Sequence, residues 1–165
     1  DFFELDVFYK IPLWIGFTIT SVILFSSVFY LDNYRDNQSK NVLEAKDILI
    51  LGAIQVFSLL PGISRFASTF ATAKLLGFSR IGSIYITAAL GAILQLGGSA
   101  VAFLIYFFKP SLVQYCWESS DLIAFPFAFV IAAIGYAFVI GLYKRGMQWI
   151  FGIYEVCIAL YAYFL

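Results

Sequence analysis

The sequence has no histidine, one methionine, two cysteines and only 12% charged residues, ten basic against ten acidic. Each scarcity excludes something. With so little charge in a chain that is 62% apolar, a soluble domain would lack the polar surface to cover its apolar surface. The basic residues form no concentrated patch with accompanying aromatics, which argues against nucleic-acid binding. Cys116 and Cys157 are far apart in sequence; Cys157 reads as small apolar packing within a helix, and Cys116 is left without a role. No metal-binding constellation can be picked out from these residues. The chain opens on Asp1, with neither an initiator methionine nor a basic-then-apolar leader, so no signal peptide is expected and part of a longer protein is.

What the sequence does have is long apolar runs and 20% aromatic residues, which suit a lipid face and its interfaces. The expectation is an all-α, multi-pass membrane bundle over residues 1–165. Residues 1–10 form an amphipathic approach. Residues 11–30 follow as a span, with Pro12 in its first turn and Trp14 near the interface. Residues 32–41 are a polar loop of mixed charge. Residues 82–108 predict a second span, where Ser83, Thr87 and Gly91 recur every four residues as a close-packing face and Gln95 continues it toward a hydrogen bond across the bundle. A polar connection over 109–121 leads to a span at 122–143, in which Ala133, Ala137 and Gly141 repeat the small-residue spacing. Lys144-Arg145-Gly146 makes a basic turn, and residues 148–165 complete the bundle with Trp149 at the interface and Glu155 inside.

Residues 47–60 and 64–76 are apolar but short, about 20 Å each at 1.5 Å per residue against a hydrocarbon core of roughly 30 Å. Pro61 interrupts any helix running through them and Gly62 frees the backbone to turn. A re-entrant hairpin over 47–76 is the simpler reading. The rival is one kinked helix. The hairpin puts Arg35, Lys40, Lys46, Arg80, Lys144 and Arg145 on one side, opposite Lys10 and Lys109, whereas the kinked helix divides them almost evenly. Gly77 is placed to end the second half-helix, and Ser79 or Arg80 to open the next segment.

The chemistry concentrates at the hairpin. A half-helix starting near Ser64 turns unsatisfied N–H groups and the positive end of its dipole inward, and Arg65 adds a rigid fork of donors suited to phosphate oxygens. Arg65, Ser68, Thr69 and Thr72 follow the spacing of one helical face. Ser64 is either an N-cap or a ligand to the same anion. Gln55 serves either helix pairing or the site. Lys74, half a turn from Arg65 and near the helix end, is expected to snorkel outward. Glu155 remains open between ion pairing with Arg65, proton transfer and metal ligation; Glu44 and Asp47 read as helix-start residues.

The run Gly52 to Arg65, with Leu60-Pro61-Gly62-Ile63-Ser64-Arg65 at its end and Thr69 beyond, resembles the signature Pro-Gly-x-Ser-Arg-Ser-x-x-Thr of the undecaprenyl-diphosphate phosphatase family, BacA type. Gly77 to Arg80 resembles the turn that follows there, and the Phe151 and Tyr154 region its last helix. The resemblance implies a bacterial inner-membrane hydrolase that removes the terminal phosphate of a polyprenyl diphosphate, recycling the lipid carrier of peptidoglycan synthesis, with a link to antibiotic resistance. It implies two inverted repeats, each with a re-entrant hairpin, of which this chain would be the C-terminal portion, and it admits a homodimer. Carried over by position, Ser64 and Arg65 would be catalytic, and Gly62, Arg65, Ser68, Thr69 and Gln55 would bind substrate. A divalent cation such as magnesium or calcium is implied too, without ligands identifiable in this chain.

The sequence departs from the family in three places. The glutamate-rich first signature and its histidine are absent, Phe66 stands where a second serine is usual, and Glu155 follows Tyr154 where arginine is common. Alternatives from other classes are a transporter or anion-binding module using the same broken helix, and a structural half-bundle with Arg65 locked to an acid.

Overall fold

The structure, a computed structural model, describes residues 12–29, 40, 42–108 and 119–164. Among these residues are six α-helices and no strand: α1 (Leu13–Phe29), α2 (Ala45–Phe57), α3 (Arg65–Leu75), α4 (Arg80–Phe108), α5 (Ser119–Lys144) and α6 (Trp149–Phe164). The all-α expectation is met. The readings of residues 1–10, most of the 32–41 loop and the connection with Lys109 and Cys116 fall outside the described residues.

Two helices are long and apolar enough to cross a membrane, α4 at 29 residues and the 124–144 stretch of α5. α1 and α6, at 17 and 16 residues, are shorter than the spans anticipated at 11–30 and 148–165 and cover about 25 Å each. They pair with each other in opposite directions. Trp14 stands edge-on to Tyr163 with ring centroids 5.5 Å apart, while nearer the other end a Cβ on Gly152 would come within 3.1 Å of the Phe25 ring.

α2 and α3 form a hairpin. Gln55 Nε2 donates to Thr69 Oγ1 at 2.7 Å, and Leu51 is buried against Ala73, so later residues of one helix meet earlier residues of the other. A single kinked helix would hold residues 55 and 69 about 21 Å apart. α3 is the centre of the molecule: seven of its eleven residues are buried. Phe70, fully enclosed, joins Leu24 of α1, Ile84 of α4 and Tyr143 of α5 in one core. Tyr143 receives Phe66 and Phe70 edge-on at 4.9 and 4.8 Å, contacts worth about 0.5–1.5 kcal/mol each beyond burial. That enclosure corrects the reading of Lys74, which is buried rather than turned out.

Both reversals that follow are closed by glycine. Gly77, at φ +97°, donates its N–H to Lys74 O, and Phe78 donates to Ala73 O; Gly146, at φ +72°, and Met147 do the same to Tyr143 O and Leu142 O. These are Schellman ends, which need the left-handed conformation glycine adopts without strain. Ser79 then caps α4, its Oγ accepting the Gly82 N–H at 3.0 Å. The Arg80 guanidinium lies so close over Gly146 that a Cβ there would sit 3.1 Å from it, and Lys40 donates its backbone N–H to Gly77 O at 2.9 Å. Lys40, Arg80, Lys144 and Arg145 thus lie at or next to these two reversals, while Arg35 falls outside the described residues.

Two expectations about small residues are corrected. Ser83 and Thr87 are buried, but Cβ atoms at Gly91 and Gly141 would meet nothing within 4 Å, and Ala133 and Ala137 are exposed. In these positions smallness leaves space instead of drawing helices together. Cys157 is exposed on α6, not packed between helices.

At the hairpin base, Asp47 is buried and accepts the Lys40 ammonium at 2.6 Å and the Glu44 N–H at 2.9 Å. The ammonium, then the amide, hold its carboxyl below the ordinary range, and the same contact raises Lys40. A carboxylate with a depressed folded-state pKa stabilises fully above its unfolded value, about 3.9, and loses that contribution as pH falls through the folded value. Asp47→Asn is therefore expected to melt below the wild type at pH 7, with the gap closing as both are acidified below about pH 4. Melts in detergent across that range test this; a gap independent of pH would refute it.

Candidate anion-binding site

The site begins with how the hairpin tip is held. Gly62 has φ +81°, and a Cβ on it would lie 2.6 Å from Leu13 O. From the other side, a Cβ on Gly16 would lie 2.0 Å from Pro61 O and 2.8 Å from Gly62 Cα. The tip thus rests backbone to backbone on α1. One turn along, the buried Thr20 hydroxyl donates to Gly62 O at 3.1 Å and accepts the Ser64 N–H at 2.9 Å. Gly16 and Thr20 were missed in the sequence reading, although their four-residue spacing is the signal read at Ser83, Thr87 and Gly91.

This clamp sets the first turn of α3. Ser64 is its N-cap, with Oγ accepting the Ala67 N–H at 3.4 Å. The N–H groups of Arg65 and Phe66 find no acceptor among the described residues. They stay free at the positive end of the helix dipole.

Beside that turn lies a cavity of about 430 Å³, lined among others by Gln55, Arg65, Thr69, Thr87, Gln95 and Tyr136. Arg65 Nε and Gln55 Oε1 are buried without a hydrogen-bond partner among the described residues. Thr69, fully buried, links the two side chains' supports, donating to Arg65 O at 2.8 Å while accepting Gln55 Nε2. Gln55 thus pairs the two helices through its amide nitrogen and is also among the residues that line the cavity. Phe66, in the place of the family's second serine, also lines the cavity and meets Tyr136 edge-on at 6.4 Å.

The residues read as one helical face do not all come together. Ser68 and Thr72 line a separate groove of about 670 Å³ with Phe25, Ile54 and Phe57. α2 lies between the two spaces, Gln55 facing one and Ile54 the other. The groove is larger but almost wholly apolar; the charged side chain, Arg65, lines the smaller cavity. Ser68 spends its hydroxyl on Ser64 O at 2.9 Å. Ser64 and Gly62 shape the tip without lining the cavity.

Arg65 makes no ion pair with Glu155, whose Oε2 is buried and unpartnered among the described residues. Among the described residues Arg65 is not locked to an acid. The lining does not suit a divalent cation, which wants several carboxylate or carbonyl oxygens; it offers amides and hydroxyls beside a guanidinium. Among the described residues no three His, Cys, Asp or Glu side chains are grouped for a metal. The site is cationic, donor-rich and set at a helix N-terminus, which is the chemistry of anion binding.

Thr69→Val removes Gln55's acceptor and leaves a buried amide unpaired, so stability is expected to fall by about 1–3 kcal/mol, with most of it returned by Thr69→Ser. Melting temperatures of the two variants decide this; equal losses would refute a role for the hydroxyl.

Fold and site together define an all-helical protein with membrane-length apolar helices and a basic cavity beside a helical hairpin. The chain belongs to the family of the bacitracin resistance protein BacA, whose model matches residues 4–161. It is 37% identical over 67 residues to the undecaprenyl-diphosphatase of Elusimicrobium minutum (strain Pei191), an overlap of 41% of this chain and 26% of that protein. With the undecaprenyl-diphosphatase of Mycobacterium ulcerans (strain Agy99) it shares 37% identity over 70 residues, 41% of this chain and 25% of that one. With that of Mycobacterium tuberculosis (strain ATCC 25618 / H37Rv) it shares 34% over 70 residues, 41% and 24%. The matched stretch thus spans about a quarter of these relatives' length. No solved structure matches the chain at a significant level.

Proposed function

We propose that this chain is the anion-holding part of a multi-pass membrane phosphatase that hydrolyses undecaprenyl diphosphate to undecaprenyl phosphate and inorganic phosphate, returning the carrier to cell-wall synthesis. The observation that carries the reading is Arg65, its Nε unpartnered among the described residues, lining a cavity next to the first turn of α3. The matching undecaprenyl-diphosphatases support it.

Phosphoryl transfer asks the protein mainly for position and charge, because the transition state is loose and its charge spreads over three oxygens. The Arg65 fork and the Arg65 and Phe66 amides would hold those oxygens, and Ser64 would orient them by capping the turn that presents them. Gln55 and Thr69 keep that turn in register. The acid–base groups, and the carboxylates that any divalent cation requires, would come from a second repeat outside this sequence. The 13- and 11-residue hairpin helices cover about 20 and 16 Å, which supports a re-entrant placement with the tip inside the bilayer and the basic end at its surface.

The test is phosphate release from undecaprenyl diphosphate by the full-length gene product in liposomes. One phosphate per lipid is the expected yield. A folded, full-length protein that releases none would overturn the reading.

A further inference from the structure

We propose that Gln95 forms a second anion subsite in the same cavity, binding the phosphate that stays on the lipid, and so sets a preference for diphosphate over monophosphate. The inference rests on the phosphatase reading for the name of its ligand, and on the cavity for its geometry.

Gln95 is the sixteenth of the 29 residues of α4, in the middle of a helix that is otherwise apolar around it. The bond across the bundle expected from the sequence is not made: among the described residues its side chain has no hydrogen bond, and it lines the Arg65 cavity. An amide in such a helix is poorly placed unless something polar meets it. Between it and the level of Thr87 stands Gly91, where a Cβ would meet nothing within 4 Å, so the space along this face is open. From Thr87 to Gln95 the cavity follows α4 for about 12 Å, long enough to receive two linked phosphates instead of one.

The two ends of that space differ. Arg65 offers a charged fork, its Nε already desolvated, suited to the oxygens that gain charge in transfer. Gln95 offers neutral amide hydrogens that can follow a phosphate without competing for the reacting one. Arg65 therefore governs binding of any phosphate, and Gln95 governs whether a second one counts.

The experiment measures binding of methylenediphosphonate, which resists hydrolysis, and of inorganic phosphate to the full-length protein in detergent. The wild type is expected to bind the diphosphonate about tenfold or more tightly than phosphate, as one further hydrogen bond to a charged group allows. Gln95→Leu should remove most of that preference and leave phosphate affinity within about twofold. Gln95→Glu should weaken the diphosphonate further by repulsion, and Gln95→Asn should keep part of the preference. An unchanged ratio in Gln95→Leu, or a wild type with no preference, overturns the subsite. A wild type that binds the diphosphonate through Gln95 yet releases no phosphate from the lipid would retain the subsite and reject the phosphatase.

Discussion

Arg65→Ala is expected to lower turnover of undecaprenyl diphosphate by the full-length protein about 10²- to 10³-fold, or about 2.7–4 kcal/mol, the range seen when one preorganised donor to a transition state is lost. The size follows from the surroundings. Arg65 Nε is buried and has no hydrogen-bond partner among the described residues, so that donor meets a phosphate without giving up another bond. Arg65→Lys keeps the charge and loses the planar fork, and an intermediate loss of about tenfold is expected because a point charge cannot hold two oxygens at fixed spacing. Melting temperature should change little in either variant. Turnover within tenfold of wild type in Arg65→Ala, with the fold intact, would remove Arg65 from the transition state.

Gly16→Ala is the second large effect, and it lies on a helix that contributes nothing to the cavity lining. The new Cβ would stand 2.0 Å from Pro61 O, against backbone that cannot swing aside. The tip must lift, with overpacking costs of about 1–3 kcal/mol. Both Thr20 bonds would stretch, at roughly 0.5–1.5 kcal/mol each. A total of about 2–6 kcal/mol is expected, read as a marked fall in melting temperature, together with loss of turnover because the first turn of α3 shifts. Gly97→Ala is the control: that glycine is exposed and its Cβ would meet nothing within 4 Å, so it should behave as wild type. Equal stability of the two variants would show that the tip does not depend on Gly16.

The parts of the molecule legible in the sequence are those whose cause is local. Pro61 and Gly62 break a helix wherever they stand, Ser64 caps the residues that follow it, and Gly77 can end a helix because of its own φ. Arg65 stands out because a guanidinium among apolar residues has few reasons to be there. What was not legible depends on where a second helix lies. Spacing alone put Ser68 and Thr72 with Arg65, but α2 packs against that face and divides it. The same blindness misplaced Lys74: a helical wheel gives its direction, not the fact that the fold buries that position. The Thr20 clamp joins residues 42 and 44 positions apart, a distance at which no spacing rule operates.

The pairing of α1 with α6 also dictates an order of events during synthesis. Trp14 and Phe25 find Tyr163 and Gly152 at the far end of the chain, so these contacts exist only after translation has passed residue 149. The α2–α3 hairpin can dock on α1 long before then, since its partners are already made. A ribosome-bound intermediate would hold a finished tip inside an unclosed bundle, with one side of α1 still bare.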